Sequence, residues 1–236
     1  MYKMSHPQQP ILVFIPVLYS FVGLLLMALV LVHCMTGIPF AQFTADPAAT
    51  FNYNSMFGYI SNVGVLLWCA TASVCFLSAA ILNVRRDQGE MVKFLVCFGA
   101  LTAVLMFDDL FMFHESIAPE YLHVPEKAVL IVYGLYALYS FSHFRKIVLT
   151  NDIRFLVLAA CAFGFSVLID QVSDRFYLPG EYLFEDGAKF IGIASWLAYF
   201  VNLSFHKVMA VVLGASIPVG RGRQSRAPRN KEFMYN

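Results

Sequence analysis

The stretch FDDLFMFHE, residues 107–115, carries two consecutive carboxylates, Asp108 and Asp109, and then His114 beside Glu115, in a setting that is otherwise apolar. Carboxylates in such surroundings are costly unless they are protonated, paired or metal-bound. Further along, Glu126, Asp170 and Glu185 stand at the ends of other apolar runs, and Lys189 follows Glu185 by one helical turn. Two chemistries suit these groups. In the first, Asp108, Asp109, Glu126, Asp170 and Glu185, with Lys189 as an internal counter-charge, bind and release protons, a metal cation or a small solute, and Tyr133, Tyr136, Trp196 and Tyr199 line the deeper part of a polar path. In the second, Asp109, His114, Glu115, His123, Glu126 and Glu185 offer oxygen and nitrogen ligands to a divalent zinc, iron or manganese ion in a membrane-embedded hydrolase or oxidase. The spacing does not decide between them: Ala118 stands four residues after His114, where the helical zinc pattern HExxH needs a second histidine.

The elements that must position these residues follow from composition. Of 236 residues, 59% are hydrophobic and 13% are charged, half the usual quarter of charged residues. That leaves too little polar surface for a soluble enzyme, and a net charge of +1 excludes a basic nucleic-acid-binding face. The five cysteines form no CxxC pair and read as small buried hydrophobes. The expected fold class is therefore all-α, a polytopic membrane helical bundle with six predicted transmembrane helices at residues 11–35, 59–83, 91–114, 126–143, 154–170 and 187–206. Residues 1–219 are expected to form a single integral-membrane domain. Within it, 208–219 either extends the last helix or lies along the interface. The first apolar run is about 25 residues, too long for a signal-peptide core of 7–15, and is expected to stay as an anchor.

Of the 16 basic residues, 13 fall on one side of these spans: Lys3, then Arg85, Arg86 and Lys93, then Arg145, Lys146 and Arg154, then Lys207 and the five in the tail. The positive-inside rule then places both termini in the cytoplasm, in a multi-pass protein of the cell (inner) membrane. The tail, residues 220–236, is basic and expected to be disordered and to touch anionic lipid. Eleven of the fifteen acids partition to the outer side, more than topology requires. Spans three and five run only about 17 and 15 residues before Asp108 and Asp170, about 25 and 22 Å against a 30 Å hydrocarbon core, so their carboxylates are expected inside the apolar slab.

Projected at 100° per residue, Asp108 and Glu115 share a helix face, with His114 on another side. Glu126, Tyr133, Tyr136, Ser140 and His143 form one stripe, and Glu185, Lys189, Gly192, Trp196 and Tyr199 another. Glu185 and Lys189 also have the spacing of a simple ion pair. Glu120, Asp174 and Glu181 are expected in solvated loops. FNYNSMFGYISN resembles the start of a span in the alkaline ceramidase and adiponectin-receptor group, but Ala210 stands where that group's paired histidines would follow His206, and no family is assigned on it. A third class stays open beside transporter and enzyme: a non-catalytic subunit or assembly factor, packed as a homo-oligomer or within a larger membrane complex through its aromatic faces.

Overall fold

Apolar segments without water close their peptide hydrogen bonds within themselves, and every regular element among the described residues is a helix. The computed structural model describes residues 9–45, 47–54, 56–84, 88–173, 176 and 180–213. The chain divides into two compact units, Met1–Tyr59 and Ile60–Asn236. The first holds α1 (Gln9–Thr36) and two short helices, α2 (Phe40–Thr44) and α3 (Pro47–Phe51). Described side chains along α1, among them Tyr19, Leu24 and Met35, are exposed and apolar all round, as expected for a helix bathed in lipid.

The second unit is built on α4 (Tyr59–Leu82), α5 (Gly89–Phe111), a π-helical turn (Phe113–Ile117), α6 (Ala118–Tyr121), α7 (Glu126–His143), α8 (Arg145–Thr150), α9 (Arg154–Ser173) and α10 (Glu181–Val212). Five helices are long and apolar enough to cross a membrane: α1, α4, α5, α9 and α10. Helix α7 occupies the range expected of the fourth span, but it opens with Glu126 and Lys127 and carries Tyr133, Tyr136, Tyr139, Ser140, Ser142 and His143 within 18 residues. These polar groups keep it below the apolarity of the other five. Helix α10 begins six residues earlier than expected, after Gly180 in the left-handed region at φ +80°, and runs on to Val212. The first residues of the 208–219 segment thus extend the last helix. Residues 214–219 and the 220–236 tail lie outside the described residues, as do Lys3, Asp46, Arg85, Arg86, Asp87, Asp174 and Arg175.

An aromatic core fixes the helices of this unit. Phe98 packs on Phe94, Phe141, Trp196 and Phe200 with ring centroids 4.7 to 6.0 Å apart, and Phe94 meets Phe144 edge-on at 5.5 Å. Phe94, Phe98 and Phe200 are fully buried. Helices α9 and α10 approach through Gly192, where an added Cβ would lie 2.6 Å from the Phe163 ring. That contact leaves no room for any other residue, and Phe163 in turn stacks on Trp68 of α4 at 5.8 Å.

Candidate functional site

Helix α5 stops at Phe111 because Met112 turns left-handed at φ +50°, its N–H returning to the carbonyl of Asp108. Non-glycine residues adopt that conformation at a cost of roughly 1–2 kcal/mol. The turn folds the chain back, so that His114 donates both its backbone N–H, at 3.0 Å, and an imidazole contact through Nδ1 to the Asp108 carboxylate. The expectation that His114 points away from Asp108 assumed an unbroken helix through residue 114. The turn at Met112 overturns it. Tyr133 of α7 donates its hydroxyl to the same carboxylate at 3.0 Å, which ties α5 to α7. Asp108 is only 4% exposed and His114 9%. The hydrogen bond to Asp108 holds the imidazole above its ordinary titration range, against the opposing effect of burial.

Asp109 points round the helix to a different set of partners. It accepts from Trp68 Nε1 at 2.8 Å and from Lys189 Nζ at 2.8 Å, joining α4, α5 and α10. Lys189 therefore pairs with Asp109 on another helix, and not with Glu185 one turn before it. Trp196 donates to Thr102 Oγ1 at 3.0 Å, a further tie between α10 and α5. Trp68 and Thr102 were not singled out in the sequence. The signal for Trp68 was present, since an indole N–H in an apolar span requires an acceptor.

These groups stand at one end of a cavity of about 1180 Å³, larger than the 300–1,000 Å³ usual for small-molecule sites. The cavity gathers most of the expected residues: Asp108, Asp109, Glu126, Asp170, Glu185 and Lys189 line its polar end, with His114 and Glu115. Glu181 lines it too, from the first turn of α10, and so is not the solvated loop residue expected. Lys127 donates to Gln171 at 3.2 Å across this end, and Asp170 accepts from the Gln171 amide at 3.0 Å. No hydrogen bond or ion pair links Glu126, Glu181 or Glu185 to another described side chain. Deeper, Leu101, Leu130, Phe141, Val148, Leu156 and Ala160 make the walls apolar.

The tyrosine-lined path is not assembled as a whole. Tyr133 and Trp196 face the cavity, whereas Tyr136 turns to Cys97 Sγ at 3.5 Å and Tyr199 is buried in the aromatic core, its hydroxyl without a partner among the described residues. Of the proposed metal ligands, His114 Nε2 and Glu115 lie 3.5 Å apart, while exposed His123 sits in the loop after α6 at φ +55°. Among the described residues no three His, Cys, Asp or Glu side chains are grouped to hold a metal ion. No curated protein and no solved structure matches the chain. A family profile described as Domain of unknown function (DUF8692) matches residues 18–203 of the 236, and the chain belongs to that family.

Proposed function

We propose that the chain is a six-span protein of the cell membrane, both termini cytoplasmic, that admits a small cationic solute to its cleft from the outer side and moves it. Helix α7 is the sixth span in this reading, its polar face turned to α5 and its thin apolar face to lipid. One observation carries the proposal: carboxylates from α7, α9 and α10 converge at the mouth of a single large cavity without built-in cationic partners. Asp108 and Asp109 already have theirs, in His114 and Lys189. Glu126, Asp170, Glu181 and Glu185 are left to concentrate a cation at the opening, as rings of acidic side chains do in cation pores. The basic tail then lies on the cytoplasmic leaflet, where anionic lipid attracts it.

Proteoliposome flux tests this. Purified protein is expected to carry ethylammonium, tetramethylammonium, protons or a divalent metal, and Glu126→Gln with Glu185→Gln to lower that flux at least tenfold while the thermal midpoint is kept. Absence of flux for all four probes would overturn the transport reading in favour of a non-catalytic subunit. The Asp108–His114 pair favours a second reading, an enzyme: a carboxylate on Nδ1 orients the other ring nitrogen as a base or metal ligand. Stoichiometric zinc, iron or manganese in purified protein, lost in His114→Ala, would support that reading over transport.

A further inference from the structure

We propose that the cleft is the binding site of a single-chain amphiphile with an ammonium head group, which enters sideways from the bilayer. This deepens the cation reading above and rests on it, naming the class of solute.

A site for a small hydrated cation would be polar along its depth, so that lost hydration is replaced at each step. Here the polar groups stop at the mouth. From Asp170 down to Leu156 the cavity follows α9 for fourteen residues, about 21 Å at 1.5 Å per residue, and from Glu126 to Phe141 it follows α7 for a similar distance. Those lengths exceed the roughly 15 Å of one hydrocarbon leaflet. Below the mouth the walls are Leu, Val, Phe and Ala side chains, and Gly134, Ala137 and Ala160 leave width for a second chain of atoms to lie beside the helices. A long apolar slot of this kind matches a hydrocarbon tail and gives nothing to a metal ion or proton.

The rim shows the route. Ile131 on α7 and Val157 and Val167 on α9 all line the cavity, yet they are 61%, 52% and 54% exposed. Residues that face both the cavity and the surroundings are the lips of a slot, and lips made of Ile and Val open to lipid, not to water. Between α7 and α9 the described side-chain tie is Lys127 to Gln171, at the mouth and not along the slot. A tail can slide in between the helices while its head stays level with the mouth.

Charge selects the head. Lys189 is engaged by Asp109 and Lys127 by Gln171, whereas Glu126, Glu181 and Glu185 face the opening with Asp170. A carboxylate or phosphate head would meet like charge there, and an ammonium would complete the site.

The two tryptophans of the chain, Trp68 and Trp196, both line this cavity, so intrinsic fluorescence reports on it alone. Full-length protein in phosphatidylcholine nanodiscs is titrated with mid-chain-brominated hexadecylamine, hexadecanol and hexadecanoic acid. The amine is expected to quench saturably, at a mole fraction at least tenfold below that needed for the alcohol or acid, and unlabelled hexadecylamine to reverse it. The variant carrying Glu126→Gln and Glu185→Gln should lose the tenfold preference with its unliganded emission spectrum unchanged. Ala160→Phe, which fills the slot and leaves every carboxylate in place, should weaken amine quenching at least tenfold. Equal quenching by all three chains, or quenching that never saturates, would overturn the proposal. If ethylammonium crosses liposomes while hexadecylamine quenches no better than the acid, this inference fails and the cation reading stands. If neither cation binds nor crosses, both fail.

Discussion

Replacing Asp108 by Asn tests the hub on which the polar end of the cleft depends. The carboxylate accepts from the His114 backbone N–H and the Tyr133 hydroxyl, each at 3.0 Å, and from His114 Nδ1. The amide keeps one oxygen for the first two donors, but its NH₂ then confronts the imidazole, which must turn to its acceptor tautomer. Three interhelical hydrogen bonds in a membrane protein, at about 0.6 kcal/mol each, set a floor near 2 kcal/mol. Removing one partner of a buried ion pair costs about 3–5 kcal/mol. With Asp108 4% and His114 9% exposed, the upper bracket weighs more, and a loss of about 3 kcal/mol is expected. Reversible unfolding in mixed micelles of rising SDS fraction measures it. Loss of the charge should also remove a pH dependence. His114, in the turn beyond the end of α5, is held above its ordinary range by Asp108. Its pairing therefore stabilises the fold fully below the unfolded imidazole value of about 6.5, and that stability is lost as pH rises through the raised folded value. In Asp108→Asn this decline should vanish, and the imidazole NMR titration should move down. A loss under about 1 kcal/mol with an unmoved imidazole titration would refute the assignment of Asp108 as the hub.

Three further outcomes are expected. Asp109→Asn and Lys189→Met should each destabilise by about 2 kcal/mol or more, and the double variant by less than their sum, because each single change strands a charge that the double removes; strict additivity in the SDS titration would count against the pair. Gly192→Ala places a Cβ 2.6 Å from the Phe163 ring, and a cost of about 1–3 kcal/mol is expected, with part of it recovered by adding Phe163→Leu. At Met112, with φ +50°, Gly should be neutral or stabilising by up to about 1 kcal/mol, whereas Val should lower the melting temperature and weaken the His114 signature of Asp108 pairing.

The apolar runs made the helices legible. The fourth range matches α7 at both ends, and α4 and α9 start at the residues expected, because hydrophobic length and the charges that end it are properties of the chain itself. The convergence of Asp108, Asp109, Glu126, Asp170 and Glu185 on one cavity was also readable, since acids inset from the ends of neighbouring spans have no low-cost place except the bundle interior. What escaped depends on single backbone turns and distant partners. Met112 carries no glycine or asparagine signal for a left-handed turn, so the fold-back of His114 was hidden and helical projection placed it wrongly. The Trp68–Asp109 bond joins residues 41 apart in sequence. Lys189 had Glu185 at ion-pair spacing, and only the packing of α10 against α5 turned it to Asp109.

That last choice has a consequence for where function resides. Had Lys189 taken Glu185, the mouth would have lost a carboxylate and Asp109 would have been left beside Trp68 as the exposed-charge problem of the bundle interior. With Lys189 on Asp109 and His114 on Asp108, both acids of the DD pair are neutralised by the chain's own cations and tie α4, α5, α7 and α10 into one frame. Structural demand for charge pairing is met at that level. The carboxylates nearer the opening have no such structural task, and burying uncompensated acids beside an apolar slot is unfavourable in the empty protein. A cation that arrives with its own apolar body relieves both costs at once: its head neutralises the mouth, and its tail fills the slot.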